Sequence, residues 1–280
     1  MNPDDKLALL QQRLKQMGNV IVAFSGGVDS SFLLQAAKLS LGDGVLAVTA
    51  VSETYPHQEL LFAEKLAVSL EVPWLTLETG ELADPNFVNN PPERCYYCKN
   101  ELFSKLKKLA LEKGYSHVLD GANADDTNDF RPGLKAGKEL GIISPLKEAG
   151  LTKGEIRHLS RQWGLPTWDK PSLACLSSRF PYGHQITIEK LHQVDQGENF
   201  LRTLGFRQIR VRHHGDIARI ELEVEDMAKL TKPGRREEIV SHFKELGFAY
   251  ITLDLAGFRS GSMNEVLPGS ITQGADYGTK

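Results

Sequence analysis

The segment Val20-Ile21-Val22-Ala23-Phe24-Ser25-Gly26-Gly27-Val28-Asp29-Ser30-Ser31 constrains the fold most tightly. A short apolar run ends in Ser-Gly-Gly-Val-Asp-Ser, and Phe32, Leu33, Ala36 and Ala37 then follow a helical period. The chain thus passes from a strand through a glycine turn into a helix N terminus. Gly26 and Gly27 are able to take positive φ and let backbone N–H groups approach a ligand closely. Ser30 or Ser31 is placed to cap the helix. The first-turn N–H groups and the helix dipole then form an anion site. No lysine follows the glycines, so this is not a Walker phosphate loop. The bland alternative is a plain β-turn before a helix.

Around this turn strands and helices alternate. The pattern predicts an amphipathic helix over 4–17, strands over 20–24, 45–51, 74–77, 117–120 and 142–144, and helices over 30–41, 56–70 and 99–113. Thr152-Lys153-Gly154-Glu155 is a capping box opening a helix to about residue 163. Continuous apolar strands alternating with helices imply an α/β fold, a doubly wound parallel sheet covered on both faces, with ligands at the carboxyl ends of its strands. Beyond about residue 180 a helix over 189–204, strands over 208–213, 218–224 and 250–254, and helical stretches to 246 predict a smaller α+β domain. The expected division is 1–180, 181–258 and a polar tail over 259–280.

The chain has 280 residues, 41% hydrophobic and 25% charged, which is ordinary globular material. A net charge of −3 and a pI of about 6.3 argue against a polyanion-binding protein. Apolar runs are strand-length, far short of a membrane span. The acidic start Met1-Asn2-Pro3-Asp4-Asp5 lacks the layout of a signal peptide. Three cysteines, an odd number, point to a reducing cytoplasm, where clustered thiols serve metals or chemistry.

Three further constellations carry chemistry. Gly121-Ala122-Asn123-Ala124-Asp125-Asp126-Thr127-Asn128-Asp129 follows a strand, and packed carboxylates there suit Mg²⁺; Arg131 is close enough in sequence to clamp phosphate. An acidic surface loop is the alternative. Arg94-Cys95-Tyr96-Tyr97-Cys98-Lys99 places two thiols within reach of one metal, and Cys175 supplies a third. Three thiolates leave zinc one ligand short but suit an iron–sulfur cluster with an open iron; three unconnected cysteines are the alternative. Lys170 and Arg179 flank Cys175, either lowering its pKa or lying solvated in a loop. On a strand, Arg210 and Arg212 share a face, which fits a bound phosphate or a solvated surface with Glu partners.

Ser25–Ser30, with Gly121–Asp126, Arg94–Lys99, Lys170–Arg179 and Arg210–Glu221, resembles one family over about residues 5 to 255. The glycine loop is similar to that of the PP-loop ATP pyrophosphatases. The cysteine and Lys-Pro-Ser-Leu-Ala-Cys blocks resemble the ATP-dependent pyridinium-3,5-biscarboxylic acid mononucleotide sulfurtransferases, the LarE family. The resemblance implies that a substrate carboxylate attacks the α-phosphate of ATP and releases pyrophosphate. A sulfur nucleophile then displaces AMP, and two rounds give a bis-thiocarboxylate for the nickel-pincer cofactor of lactate racemase.

On this resemblance the ATP and anion sites comprise Ala23, Phe24, Ser25, Gly26, Gly27, Asp29, Ser30, Thr49, Gly121, Asn123, Asp125, Arg131, Arg210 and Arg212. Catalytic roles fall to Cys175, Asp29, Lys99 and Arg179. Metal ligation falls to Cys95, Cys98 and Cys175 for a [4Fe-4S] cluster and to Asp126 for Mg²⁺. Glu198 and Glu221 lie near the anion site in the family pattern. Some members give up sulfur from the single cysteine at position 175, and the extra Cys95 and Cys98 here resemble the cluster-bearing subgroup. The implied protein is a cytoplasmic homo-oligomer acting on a small molecule, with neither membrane nor nucleic acid as partner. The rivals are a tRNA thiolase and a nucleotide-binding module without sulfur chemistry.

Overall fold

The structure, a computed structural model, describes residues 1–128, 132–171, 174–259 and 261–266. It divides into two compact units, Met1–Cys175 and Leu176–Lys280.

The first unit runs α1 (Pro3–Met17), β1 (Val20–Ala23), α2 (Val28–Leu41), β2 (Val45–Val51), α3 (His57–Ser69), β3 (Trp74–Glu78), α4 (Pro85–Val88), α5 (Arg94–Lys113), β4 (His117–Leu119), α6 (Pro132–Glu139), α7 (Pro145–Glu148) and α8 (Lys153–Gln162). The strands lie in the order β3-β2-β1-β4, every pair parallel. Both faces of the sheet are covered, which explains why β1 and β2 are apolar at successive positions. Val20, Val22, Val45 and Ala47 pack with Leu10, Leu14, Phe32, Leu33, Ala63, Leu66, Ile156 and Leu159 from α1, α2, α3 and α8. Ile21, Leu46 and Val48 pack with Leu102, Phe103 and Leu106 of α5. Each such leucine or phenylalanine contributes about 1.5–3 kcal/mol by its burial. This is the expected doubly wound α/β fold. The chain order reverses between β1 and β4, and the crevice beyond their carboxyl ends is where such sheets take ligands. The glycine turn leaves β1 there, and the Gly121 loop leaves β4 there.

Local boundaries differ from expectation in three places. Helix α2 starts at Val28 because Gly27, extended at φ −80° and ψ 169°, is its N-cap. Ser30 therefore does not cap it; its hydroxyl lies 3.1 Å from Ser25 Oγ and 3.3 Å from the Gly27 carbonyl. Helix α5 begins at Arg94, five positions before the expected 99, so Cys95 and Cys98 occupy its first turns. The strand expected over 142–144 is a single parallel bridge, Leu119 to Ile143, because the left-handed Gly141 and Pro145 leave it no length.

The second unit holds a 3-10 turn (Leu176–Arg179), α9 (Ile188–Thr203), β5 (Ile209–His214), β6 (Ile217–Leu222), α10 (Met227–Leu230), α11 (Arg235–Glu245) and β7 (Tyr250–Leu253). Strands β5 and β6 form an antiparallel hairpin, and β6 pairs with β7 in parallel. Helix α9 approaches α11 so closely that a Cβ on Gly197 would lie 3.0 Å from the Phe243 ring. The tail is ordered further than expected, since Ser262 and Met263 are buried in a 3-10 turn; residues 267–280 lie outside the described residues. Among the described residues, no helix is long and apolar enough to cross a membrane.

Candidate active site

The glycine loop is held through its carbonyls. Thr49 Oγ1 donates to the Phe24 carbonyl at 2.7 Å and accepts from Trp74 Nε1 at 2.9 Å. The Tyr55 hydroxyl donates to the Ser25 carbonyl at 2.8 Å, and Lys170 Nζ to the Gly26 carbonyl at 3.0 Å. Ala23 ends β1, and the Phe24 N–H continues its ladder to the Val48 carbonyl at 2.8 Å. The Ser25 N–H turns to Ser30 Oγ at 3.3 Å. Positive φ holds for Gly26 alone, at +63°. No side chain caps α2, which leaves its first-turn N–H groups and the positive end of its dipole for an anion.

Asp29 lies in that first turn. Its Oδ2 meets Lys153 Nζ at 2.5 Å, and its Oδ1 is buried. Burial raises its pKa, Lys153 and Asn123 both lower it, and the Asp126 carboxylate adds to the rise. The loop after β4 closes on the same turn: a Cβ on Gly121 would lie 3.0 Å from the Ser30 nitrogen. Asn123 Oδ1 accepts from the Asp125 N–H, and Asp126 Oδ2 from the Asn123 N–H, each at 2.9 Å. Asp125 Oδ2 accepts the Lys153 N–H at 2.8 Å, tying this loop to the start of α8, where the capping box of Thr152 and Glu155 forms as expected. The hard carboxylate oxygens of Asp29 and Asp126, close enough that each charge affects the other, fit Mg²⁺. Arg131 lies outside the described residues.

Cys95 and Cys98, three apart in the first turns of α5, share a face. Cys95 and Cys175 are exposed and Cys98 is half-buried. Burial, most of all, with smaller contributions from Cys175, Glu81 and Cys95 against a pull downward from Lys99, pushes the Cys98 thiol up to about 12. Among the described residues, no three Cys, His, Asp or Glu side chains gather around a single-ion position. A cluster of several irons does not ask that of its thiolates, and three soft donors match it in kind. Lys99 lies 5.3 Å from the Phe103 ring centroid. Lys170 and Arg179 are not solvated: Lys170 pairs with Glu59 at 2.7 Å, and Arg179 with Glu198.

In the second unit the arginines build a buried network, not a solvated strand face. Arg179 grips Glu198 with Nε at 2.7 Å and Nη2 at 2.8 Å. Arg202 Nη2 and the Val211 N–H add bonds of 3.0 and 3.1 Å. Burial opposes the Glu198 charge, but Arg179, Arg210 and Arg202 outweigh it and hold the carboxyl down to about 2. Arg212 Nη2 meets Glu221 at 2.7 Å and Ser262 Oγ at 3.0 Å, and its Nε is buried without an acceptor. Burial, then Arg179, lowers the Arg210 pKa to about 10; its guanidinium lies 5.1 Å from the Phe258 ring centroid. An anion beside these two guanidinium groups would relieve both.

Sequence reading missed Tyr55 and Lys153. Lys153 had a signal, since it opens a capped helix at the carboxyl edge of the sheet. Tyr55 had none.

A parallel sheet whose switch point carries a lysine-free phosphate loop and a facing acidic loop defines a PP-loop ATP pyrophosphatase. No protein-family model matches the chain. It is 43% identical over 94% of its length to the pyridinium-3,5-bisthiocarboxylic acid mononucleotide synthase of Lactiplantibacillus plantarum, covering 95% of that protein. It is 45% identical, again over 94%, to an uncharacterized protein of Synechocystis sp., covering 98% of it. The tRNA-specific 2-thiouridylase MnmA of Rickettsia rickettsii is 30% identical over 56% of the chain and 53% of its own. The chain belongs to the LarE family of ATP-dependent sulfurtransferases, the family of the Lactiplantibacillus synthase.

Proposed function

We propose that this enzyme adenylates a carboxylate of pyridinium-3,5-biscarboxylic acid mononucleotide and exchanges the AMP for sulfur, twice, on the route to the nickel-pincer nucleotide. The observation that carries this is the conjunction, in one unit, of a phosphate loop held by its carbonyls with Cys95 and Cys98 on one face of α5. A substrate carboxylate oxygen attacks the α-phosphorus, and the bond to the β-phosphate oxygen breaks. The loop from Ser25 to Ser30 donates N–H groups to the departing pyrophosphate. Asp29, with Asp126, would hold Mg²⁺, whose charge neutralises that leaving group. Lys153 pulls the Asp29 pKa down against the burial that raises it. Arg210 and Arg212 take up the phosphate of the mononucleotide. A [4Fe-4S] cluster on Cys95, Cys98 and Cys175 would supply an open iron that carries sulfide as the nucleophile. Three thiols of this kind suit a reducing cytoplasm.

The exposure of Cys175 favours one second reading, in which its own sulfur is donated and position 175 ends as dehydroalanine. A tRNA thiolase is less well supported: the likeness to MnmA covers 56% of the chain, and the net charge is −3. Anaerobic iron and sulfide content, a visible spectrum and single Cys→Ala variants decide. Each of Cys95→Ala, Cys98→Ala and Cys175→Ala should lose the brown colour and sulfur transfer while still forming the adenylate. Retained transfer in the first two, with dehydroalanine at 175 in the wild type by mass, would put the sacrificial route in its place.

A further inference from the structure

Two side chains outside the glycine motif hold the loop from behind. Tyr55 donates to the Ser25 carbonyl at 2.8 Å. Lys170, 144 residues from the loop in sequence, donates to the Gly26 carbonyl at 3.0 Å. Lys170 is itself fixed: its ammonium meets Glu59 Oε2 at 2.7 Å, only 14% of its side chain is exposed, and the Phe62 ring centroid lies 3.6 Å from Nζ. Burial, helped by the Glu59 carboxylate, raises the Tyr55 pKa, so the hydroxyl keeps the proton it donates.

Each carbonyl shares a trans peptide plane with an N–H on its opposite side. The Ser25 carbonyl is opposite the Gly26 N–H, and the Gly26 carbonyl is opposite the Gly27 N–H. A donor on the carbonyl fixes that plane and draws electron density from the amide, so the N–H becomes a stronger donor. Glu59 neutralises the Lys170 charge at short range, so the ammonium acts through the peptide it holds more than by long-range attraction. Gly26 gains most, because its left-handed φ of +63° gives it freedom that a bound carbonyl removes.

We propose that Lys170 and Tyr55 are positioning residues of the phosphate loop, aiming and strengthening the Gly27 and Gly26 N–H donors for the phosphate oxygens that leave as pyrophosphate. This rests on the assignment of the loop to ATP. The test is calorimetric titration of the full chain with inorganic pyrophosphate and, separately, with AMP. Lys170→Met keeps a side chain of similar length and removes the ammonium, Lys170→Arg restores a cationic donor, and Tyr55→Phe removes one hydroxyl. Lys170→Met should weaken pyrophosphate binding about tenfold and Tyr55→Phe about threefold, with AMP binding unchanged and Lys170→Arg recovering most of the loss. Tyr55→Phe carries the test alone if Lys170→Met does not fold. Equal losses for pyrophosphate and AMP, or no loss of pyrophosphate binding, overturn the proposal. If the wild type binds AMP but no pyrophosphate, the assignment of the loop falls first and the proposal with it.

Discussion

Arg210 and Arg212 stand two positions apart on β5, yet their surroundings differ. Arg212 is locked to Glu221, both side chains at most 5% exposed. Arg210 lies over Phe258 with its charge weakened by burial and by Arg179. Arg210→Met should therefore weaken binding of the mononucleotide about tenfold with little change in ATP affinity, and lower Tm by less than Arg212→Met, since Glu198 keeps Arg179 and Arg202. Arg212→Met should also lower stability by about 3 kcal/mol, because it strips a partner from a buried carboxylate. Denaturant titration and substrate binding on the two variants check this contrast, and equal loss of ATP affinity would contradict the assignment. The strand period made the shared face of the two arginines legible in the sequence. The ion pairs around them, Arg212 with Glu221 and Arg179 with Glu198, were not legible from local pattern, since Glu198 comes from α9 and nothing nearby in sequence links it to Arg179.

At the scale of elements, the site depends on the loop after β4 reaching the first turn of α2. A Cβ on Gly121 would stand 3.0 Å from the Ser30 nitrogen, and backbone cannot yield as a flexible side chain can. Gly121→Ala should push the two loops apart and cut pyrophosphate release at least about tenfold, at a stability cost of about 1–3 kcal/mol; pre-steady-state release assays beside thermal melts check it. Unchanged release would mean the two loops do not act together. The glycine turn and the capping box of α8 were readable because their chemistry is local. The start of α5 was not, because its N-cap Glu93 makes no side-chain capping bond and none of the favoured capping residues stands there. Its true start at Arg94 is what puts Cys95 and Cys98 on one helical face.

For the whole molecule, the doubly wound sheet was legible because strands buried on both faces must be apolar at successive positions, as Val20–Ala23 and Val45–Val51 are. The start of α5 sets Cys95 and Cys98 on one face, while a place for Cys175 beside them was legible only as a requirement of ligand count. The central claim is that this chain couples α-phosphate attack on ATP to sulfur transfer. Phosphorus NMR of the anaerobic enzyme with ATP, Mg²⁺, sulfide and the pyridinium biscarboxylate mononucleotide tests it most directly. The account predicts AMP and pyrophosphate in equal amounts, appearing only with the carboxylate substrate and matched by thiocarboxylate; ADP and inorganic phosphate as the products would contradict it.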